Sequence, residues 1–250
     1  MYFKDYRKVL VVFAHPDDAE GQFGGTIARL VQQGADVNYV CCTDGSRGGT
    51  DPAMTDAELT AIRAAEQRAA ADLLGVKEVT YLGLKNGTLE VTTDLRRDIV
   101  REIRRHKPEL ILTLSPFRVL DAPIGLSHAD HMNAAEATLV AVYPEADSPR
   151  AYPELLDEGF EPHSVHDVWI PAVNGADRII DVTDTVEVKA RAWLCHKSQA
   201  GAKTGKPAWS FEPRMGTRMR AAGAKIGVAF AESFRTIEIT TSEPAPSPQA

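Results

Sequence analysis

VLVVFAHPDDAEGQFGG, residues 9–25, begins with five apolar residues and stops abruptly at Ala14-His15-Pro16-Asp17-Asp18. An unbroken apolar run of this length fits a strand buried on both faces of a parallel sheet. In such sheets the loop beyond the strand's carboxyl end collects ligands and catalytic groups. Here that loop holds an imidazole and two adjacent carboxylates, which are costly there unless paired or bound to a metal. His15 and Asp18 are three apart, so one turn can aim both at a single point, and Asp17 must then face elsewhere. One imidazole and one carboxylate are two-thirds of a His₂-carboxylate zinc site with an open position for water. Pro16 biases His15 toward extended backbone and stiffens the loop. The plain alternative is that Asp17 or Asp18 only caps the next helix.

A second cluster decides between them. Ser127-His128-Ala129-Asp130-His131 follows an apolar strand, 110–114, by one loop. His128 and His131 are also three apart. Two such clusters, each just beyond a buried strand, point to a metal site rather than to capping.

With both clusters in view, the chain resembles the LmbE-like (PIG-L) zinc-dependent N-deacetylases, which carry AHPDD after the first strand and HxDH later. The resemblance continues through Ile62-Arg63-Ala64-Ala65-Glu66, Leu74-Gly75, His196-Lys197-Ser198-Gln199 and Ala231-Glu232-Ser233-Phe234-Arg235. It implies His15, Asp18 and His131 as ligands of one Zn²⁺ per chain, although such sites also accept iron or cobalt. It further implies Asp17 as general base and His128 as transition-state stabiliser or acid. Asp130 is expected to orient His128 and raise its pKa. Arg63 is expected to face the pocket and bind substrate hydroxyls, the alternative being a surface pair with Glu66 three residues on; Arg47 either meets an anionic part of the substrate or is a solvated loop residue. Many relatives carry a Glu near the position of Ser46, and this chain departs from that pattern. The implied substrate is an N-acetylglucosamine-type sugar or conjugate. The rivals are an amidase on a thiol-sugar conjugate or other N-acyl compound, and a non-catalytic metal-binding protein. Relatives of this family often assemble, so a homo-oligomer is an expectation of the resemblance.

The strand–helix alternation predicts a Rossmann-like, three-layer α/β/α fold with a mostly parallel sheet and the site at the carboxyl ends of the strands. At 250 residues, a single domain over 1–240 is expected. Gly34 stops a helix over about 23–33, and Gly24-Gly25 suggests close backbone approach to the site. The G-x-G-x-x-G fingerprint of a dinucleotide site is absent. Thr55 to Glu58 fits a capping box for a helix reaching Leu74, with Leu59, Ile62, Ala65, Ala69 and Leu73 as its apolar positions. The loop after the second strand reads as flexible. Residues 144–166, rich in proline, read as an insertion that walls the pocket, the alternative being a plain surface connection. Residues 241–250 read as a disordered tail.

A net charge of −7 argues against a nucleic-acid surface. No run of about 18 apolar residues exists, so no membrane partner is expected. The N-terminus lacks a signal-peptide pattern, and the cytoplasm is the expected location. Cys41, Cys42 and Cys195 lack CxxC spacing and read as ordinary thiols.

Overall fold

The computed structural model describes residues 5–49, 51–120, 124–200 and 215–239; the tail expected at 241–250 lies outside the described residues. One seven-stranded sheet organises them, in the order β3-β2-β1-β4-β5-β7-β6. The strands are β1 (Lys8–Phe13), β2 (Asp36–Thr43), β3 (Glu78–Leu84), β4 (Leu110–Thr113), β5 (Asp167–Pro171), β6 (Arg178–Asp181) and β7 (Ala231–Glu238). The first five run parallel. β7 is antiparallel to both β5 and β6. The sheet is therefore mostly parallel, with helices on both faces, as the alternation predicts.

β1 sits between β2 and β4, and its residues from Val9 to Phe13 are all buried. Successive side chains point to opposite faces, so a strand covered on both faces is apolar throughout. Winding reverses between β1 and β4, which makes their carboxyl ends the topological switch point. The loops carrying the two sequence clusters both leave from there.

The helices are α1 (Asp18–Gln32), α2 (Asp56–Leu74), α3 (Thr93–His106), α4 (Ala129–Val140), α5 (Glu154–Asp157), α6 (Val186–Trp193), α7 (Lys197–Ala200) and α8 (Thr217–Ala224). α1, α2 and α6 pack together, and α3 packs with α4. The first helix starts five residues earlier than expected, inside the AHPDD motif itself. Its glycines also do a different job from the expected one. A Cβ on Gly24 would lie 2.9 Å from Lys189 Cγ, and one on Gly25 would lie 2.8 Å from Val182 Cβ. The missing side chains admit α6 and the approach to it, rather than the site.

On α2 the capping box forms, and Gly75 ends the helix at φ 79. The buried face is Leu59, Arg63, Gln67, Ala70, Ala71 and Leu74. Ile62 and Leu73 are exposed. The inner face is polar at its centre because the neighbouring loops need two polar side chains there, so apolar periodicity points to the wrong stripe.

Residues 144–166 brace the molecule. Buried Arg104 of α3 donates to the carbonyls of Glu145, Ala146, Ser148 and Ala151. His163 Nε2 lies 2.7 Å from the Pro108 carbonyl, ahead of β4. These contacts tie the stretch to α3 and to the start of β4, away from the carboxyl ends of the strands. Cys41 and Cys42 are buried in β2, and burial pushes both thiols up, as befits inert packing residues.

Candidate metal centre

Asp17 precedes α1 with φ 103 and makes no side-chain capping bond. A non-glycine residue at positive φ is uncommon, and Asp tolerates it better than most. The capping alternative therefore fails for Asp17. The left-handed turn sends the Asp17 and Asp18 carboxylates in different directions. Asp18 faces the histidines: its Oδ1 lies 3.0 Å from His131 Nε2, and its Oδ2 lies 3.5 Å from His15 Nδ1. The His15 backbone N–H also donates to Asp18 Oδ2 at 2.8 Å. His131 Nε2 and His15 Nδ1 are 3.2 Å apart.

Three residues beyond β1 and β4 thus form a triangle, with Asp18 turning one carboxylate oxygen to each imidazole. Ligands held about 2.0–2.1 Å from a tetrahedral ion stand about 3.3 Å apart. The observed edges bracket that spacing, and the donor types are those of a His₂-carboxylate site, so the residues fit a divalent metal. Electrostatics agree. Burial opposes the charge on Asp18, but His131 and His15 outweigh it and hold the carboxyl well below the ordinary range. Burial likewise opposes the His15 cation, yet Asp130 and Asp18 prevail and lift its pKa to about 9. The centre attracts positive charge.

Asp130 corrects an expectation. Its carboxylate grips His15, not His128: Oδ2 lies 2.9 Å from His15 Nε2. The backbone N–H groups of Gly87 and Leu89 donate to the same carboxylate at 2.6 and 3.2 Å. This pins His15 with Nδ1 toward the triangle, as carboxylate partners of metal-binding histidines do. Asp130 is the second residue of α4, and the helix geometry turns its side chain away from the cap residue His128. His128 instead accepts the Asp130 backbone N–H at Nδ1, 3.1 Å away. Its pKa is lowered, first by burial and then by His15 and His131. Both observations favour the neutral imidazole over the protonated form expected, and the accepting Nδ1 leaves Nε2 to carry its proton. Its ring stands 4.9 Å from that of His15.

Arg63 is a second correction. It is 2% exposed and does not present itself to substrate. Its guanidinium donates to the carbonyls of Gly45 and Pro16 and reaches Asp17 Oδ2 at 3.4 Å. It does not pair with Glu66, which holds Ser198 through both N–H and Oγ. Arg63 ties the AHPDD loop to the loop after β2. That loop is fixed further by Asp44, which accepts from Ser46 and from the Asn86 N–H. Arg47 is exposed, with its guanidinium beside Gly87, and makes no ion pair among the described residues.

Several contributors escaped the sequence reading. Gln67 accepts the Asp17 N–H at 3.0 Å and donates to Glu20 at 2.9 Å. Glu20 in turn meets the fully buried His196 at 3.1 Å. Beneath Asp17 there is therefore a polar chain, Gln67–Glu20–His196. The helical spacing of Arg63 and Gln67, one turn apart on α2, was the available signal. Asp17 itself is pushed up to about 6, by burial first and then by the Asp18 charge, against the pull of Arg63, His196 and His15.

Residues 10–142 match the PIG-L family model, GlcNAc-PI de-N-acetylase. The chain is similar to diacetylchitobiose deacetylase of Thermococcus kodakarensis, at 33% identity over 236 residues, covering 94% of this chain and 85% of that protein. It is similar to a probable N-acetyl-alpha-D-glucosaminyl L-malate deacetylase 2 of Bacillus anthracis, at 31% identity over 207 residues, covering 80% of this chain and 84% of that one. Among solved structures, N,N'-diacetylchitobiose deacetylase from Pyrococcus horikoshii superposes with a TM-score of 0.84 at 33% identity, covering 94% of this chain and 85% of that chain.

Proposed function

Because the chain belongs to the PIG-L family of de-N-acetylases, we propose that it removes the acetyl group from an N-acetylglucosamine-type sugar or sugar conjugate, with zinc held by His15, Asp18 and His131. The observation that carries the reading is the donor triangle with Asp17 turned out of it beside the same loop. When bound, a zinc ion supplies Lewis acidity and a water of lowered pKa.

The chain's own residues do the rest. Asp17, with a pKa of about 6, is ionised at neutral pH and basic enough to take the proton of the attacking water. Arg63 and Gln67 hold its loop in place. His128 carries its proton on Nε2 and donates it as a hydrogen bond to the carbonyl oxygen as negative charge develops there. Such a donor is worth about 3–4 kcal/mol. No protonated imidazole is required. The proton on Asp17 then passes to the leaving nitrogen as the C–N bond breaks, giving acetate and a free amine. Asp130 is a positioning residue, acting through His15.

The test is primary-amine release from N-acetylated sugars, sugar conjugates and N-acetyl amino acids, by metal-loaded and chelator-treated protein. Metal-dependent release from the N-acetylglucosamine compounds supports the reading. Release only from other N-acyl compounds replaces the sugar and keeps the chemistry. No release by zinc-loaded protein favours a non-catalytic metal-binding role. Asp17 and His128 speak against that role, since neither is needed merely to hold a metal.

A further inference from the structure

Beside His131 the surface sinks into a pocket between α8, β7 and the end of β5. Its wall is partly apolar, with Met215, Met219, Val119 and Val173. Its charged lining is the notable part. Lys189, Arg218 and Lys225 are three cations, against the single carboxylate of Glu232. This stands out in a chain whose net charge is −7.

Glu232 is held by other donors, and its charge acts on Arg218 without an ion pair between them. Its Oε1 accepts from Lys189 Nζ at 2.6 Å and from the Gly25 N–H at 3.0 Å, and its Oε2 accepts the Thr26 N–H at 2.8 Å. Lys189 is spent as well, because its Nζ also donates to the Gly21 carbonyl at 2.9 Å. That pair is a buried strut between α1, α6 and β7. The side chains of Arg218 and Lys225 make no hydrogen bond or ion pair among the described residues. On α8, Arg218, Met219 and Ala222 follow helical spacing along one stripe, and all three line the pocket beside Met215, which precedes the helix. Arg218 is therefore on the pocket side of its helix, not its outer side. A guanidinium beside an apolar wall, with five donors and no acceptor of its own, suits a planar oxyanion.

We propose that this pocket is a subsite for an anionic group, a carboxylate or a phosphate, carried by the substrate away from its N-acetyl carbon. Arg218 is its specificity-determining cation and Lys225 supports it. The inference rests on the deacetylase reading for the sugar but not for the anion, so binding and turnover are measured separately.

The experiment uses the metal-loaded full chain and three compounds: N-acetylglucosamine 1-phosphate, a carboxyalkyl glycoside of N-acetylglucosamine, and its methyl glycoside. Each is titrated calorimetrically and assayed for amine release. At least one anionic compound is expected to bind about 10- to 100-fold more tightly than the methyl glycoside, the range of a charge-assisted hydrogen bond. The phosphate and carboxylate arms show which anion is preferred. In Arg218→Gln the ratio of anionic to neutral affinity falls at least tenfold, and Arg218→Lys restores part of it. Equal binding of all three compounds overturns the subsite. So does a preference that persists in Arg218→Gln, which would place the anion on the metal instead. Anion preference without amine release keeps the subsite and overturns the deacetylase reading. Release without preference does the opposite.

Discussion

Asp17 and Asp18 are neighbours with the same side chain and opposite electrostatic fates. One is pushed up to about 6 and the other is held well below the ordinary range. The separation comes from a single left-handed residue that turns one carboxylate to the histidines and the other away. Asp17→Asn is the right substitution to test the base, because Asn also tolerates positive φ. It should lower kcat by about 10²- to 10⁴-fold, the usual contribution of a general base, while the metal content by elemental analysis stays at one per chain. Undiminished turnover would remove Asp17 from that role. Asp130→Ala should instead weaken zinc about 10- to 100-fold, since it frees the His15 ring. Competition against a zinc-binding dye reads this directly, and unchanged affinity would mean that Asp130 does not position the ligand. At this scale the sequence pointed to the metal cluster but not to its supports. His15 with Asp18 and His128 with His131 were legible as two converging clusters because spacings of three within short loops constrain direction, and only the family resemblance singled out His131 over His128 as the third ligand. Asp130 was assigned to the wrong histidine because chain proximity suggests His128, two residues away, whereas its partner is 115 residues away. Arg63 was legible as important, but its task depends on which carbonyls meet it.

Whole elements meet the site through polar contacts that hydrophobic patterning does not reveal. α2 buries Arg63 and Gln67, and α1 buries Glu20 against His196 near the start of α7. Both ends of the Glu20–His196 pair are shielded from water. Burial opposes the His196 cation, but Glu20 outweighs it and raises the pKa above the ordinary 6.5. A raised folded pKa means that the native state binds a proton the unfolded chain releases sooner. The contribution to stability is thus complete below pH about 6.5 and is lost as pH rises through the folded value. Urea unfolding of the metal-free protein across pH 6 to 9 checks this. The wild-type midpoint should fall more steeply with pH than that of His196→Gln, and parallel profiles would dismiss the pair as a source of pH-dependent stability. The contact of α1 with the segment between β6 and α6 makes a second element-level prediction. Gly25→Ala places a methyl 2.8 Å from the branched Val182 Cβ, which cannot swing aside. Overpacking of this kind costs about 1–3 kcal/mol, read as a lower urea midpoint at unchanged slope. A midpoint at or above the wild-type value would show that α1 and the segment leading into α6 have room to spare.

Across the whole molecule, the parallel run of the first four strands was legible from alternation alone, and so was the edge at which both clusters gather. The antiparallel β7 between β5 and β6 was not. A short strand's direction depends on where its connection ends, and the segment leading to β7 carries no pattern that fixes it. The consequence of the topology is mechanical. His15 and Asp18 lie beyond β1, and His131 lies one turn into α4 beyond β4, more than a hundred residues later. A metal held by all three clasps the two halves of the winding at the switch point. An ion that binds only the folded arrangement stabilises it by about 2.7 kcal/mol at a free concentration 100-fold above its Kd. For a chain of this size that corresponds to a rise in Tm of about 5–10 °C. Thermal unfolding with zinc buffered at that excess, against the same protein with chelator, should show this gap. His131→Ala removes one corner of the triangle, so its two curves should nearly coincide while its chelated Tm stays close to that of the chelated wild type. A full zinc-dependent shift in His131→Ala would mean that the stabilising ion sits elsewhere and that the clasp across β1 and β4 is not the metal centre.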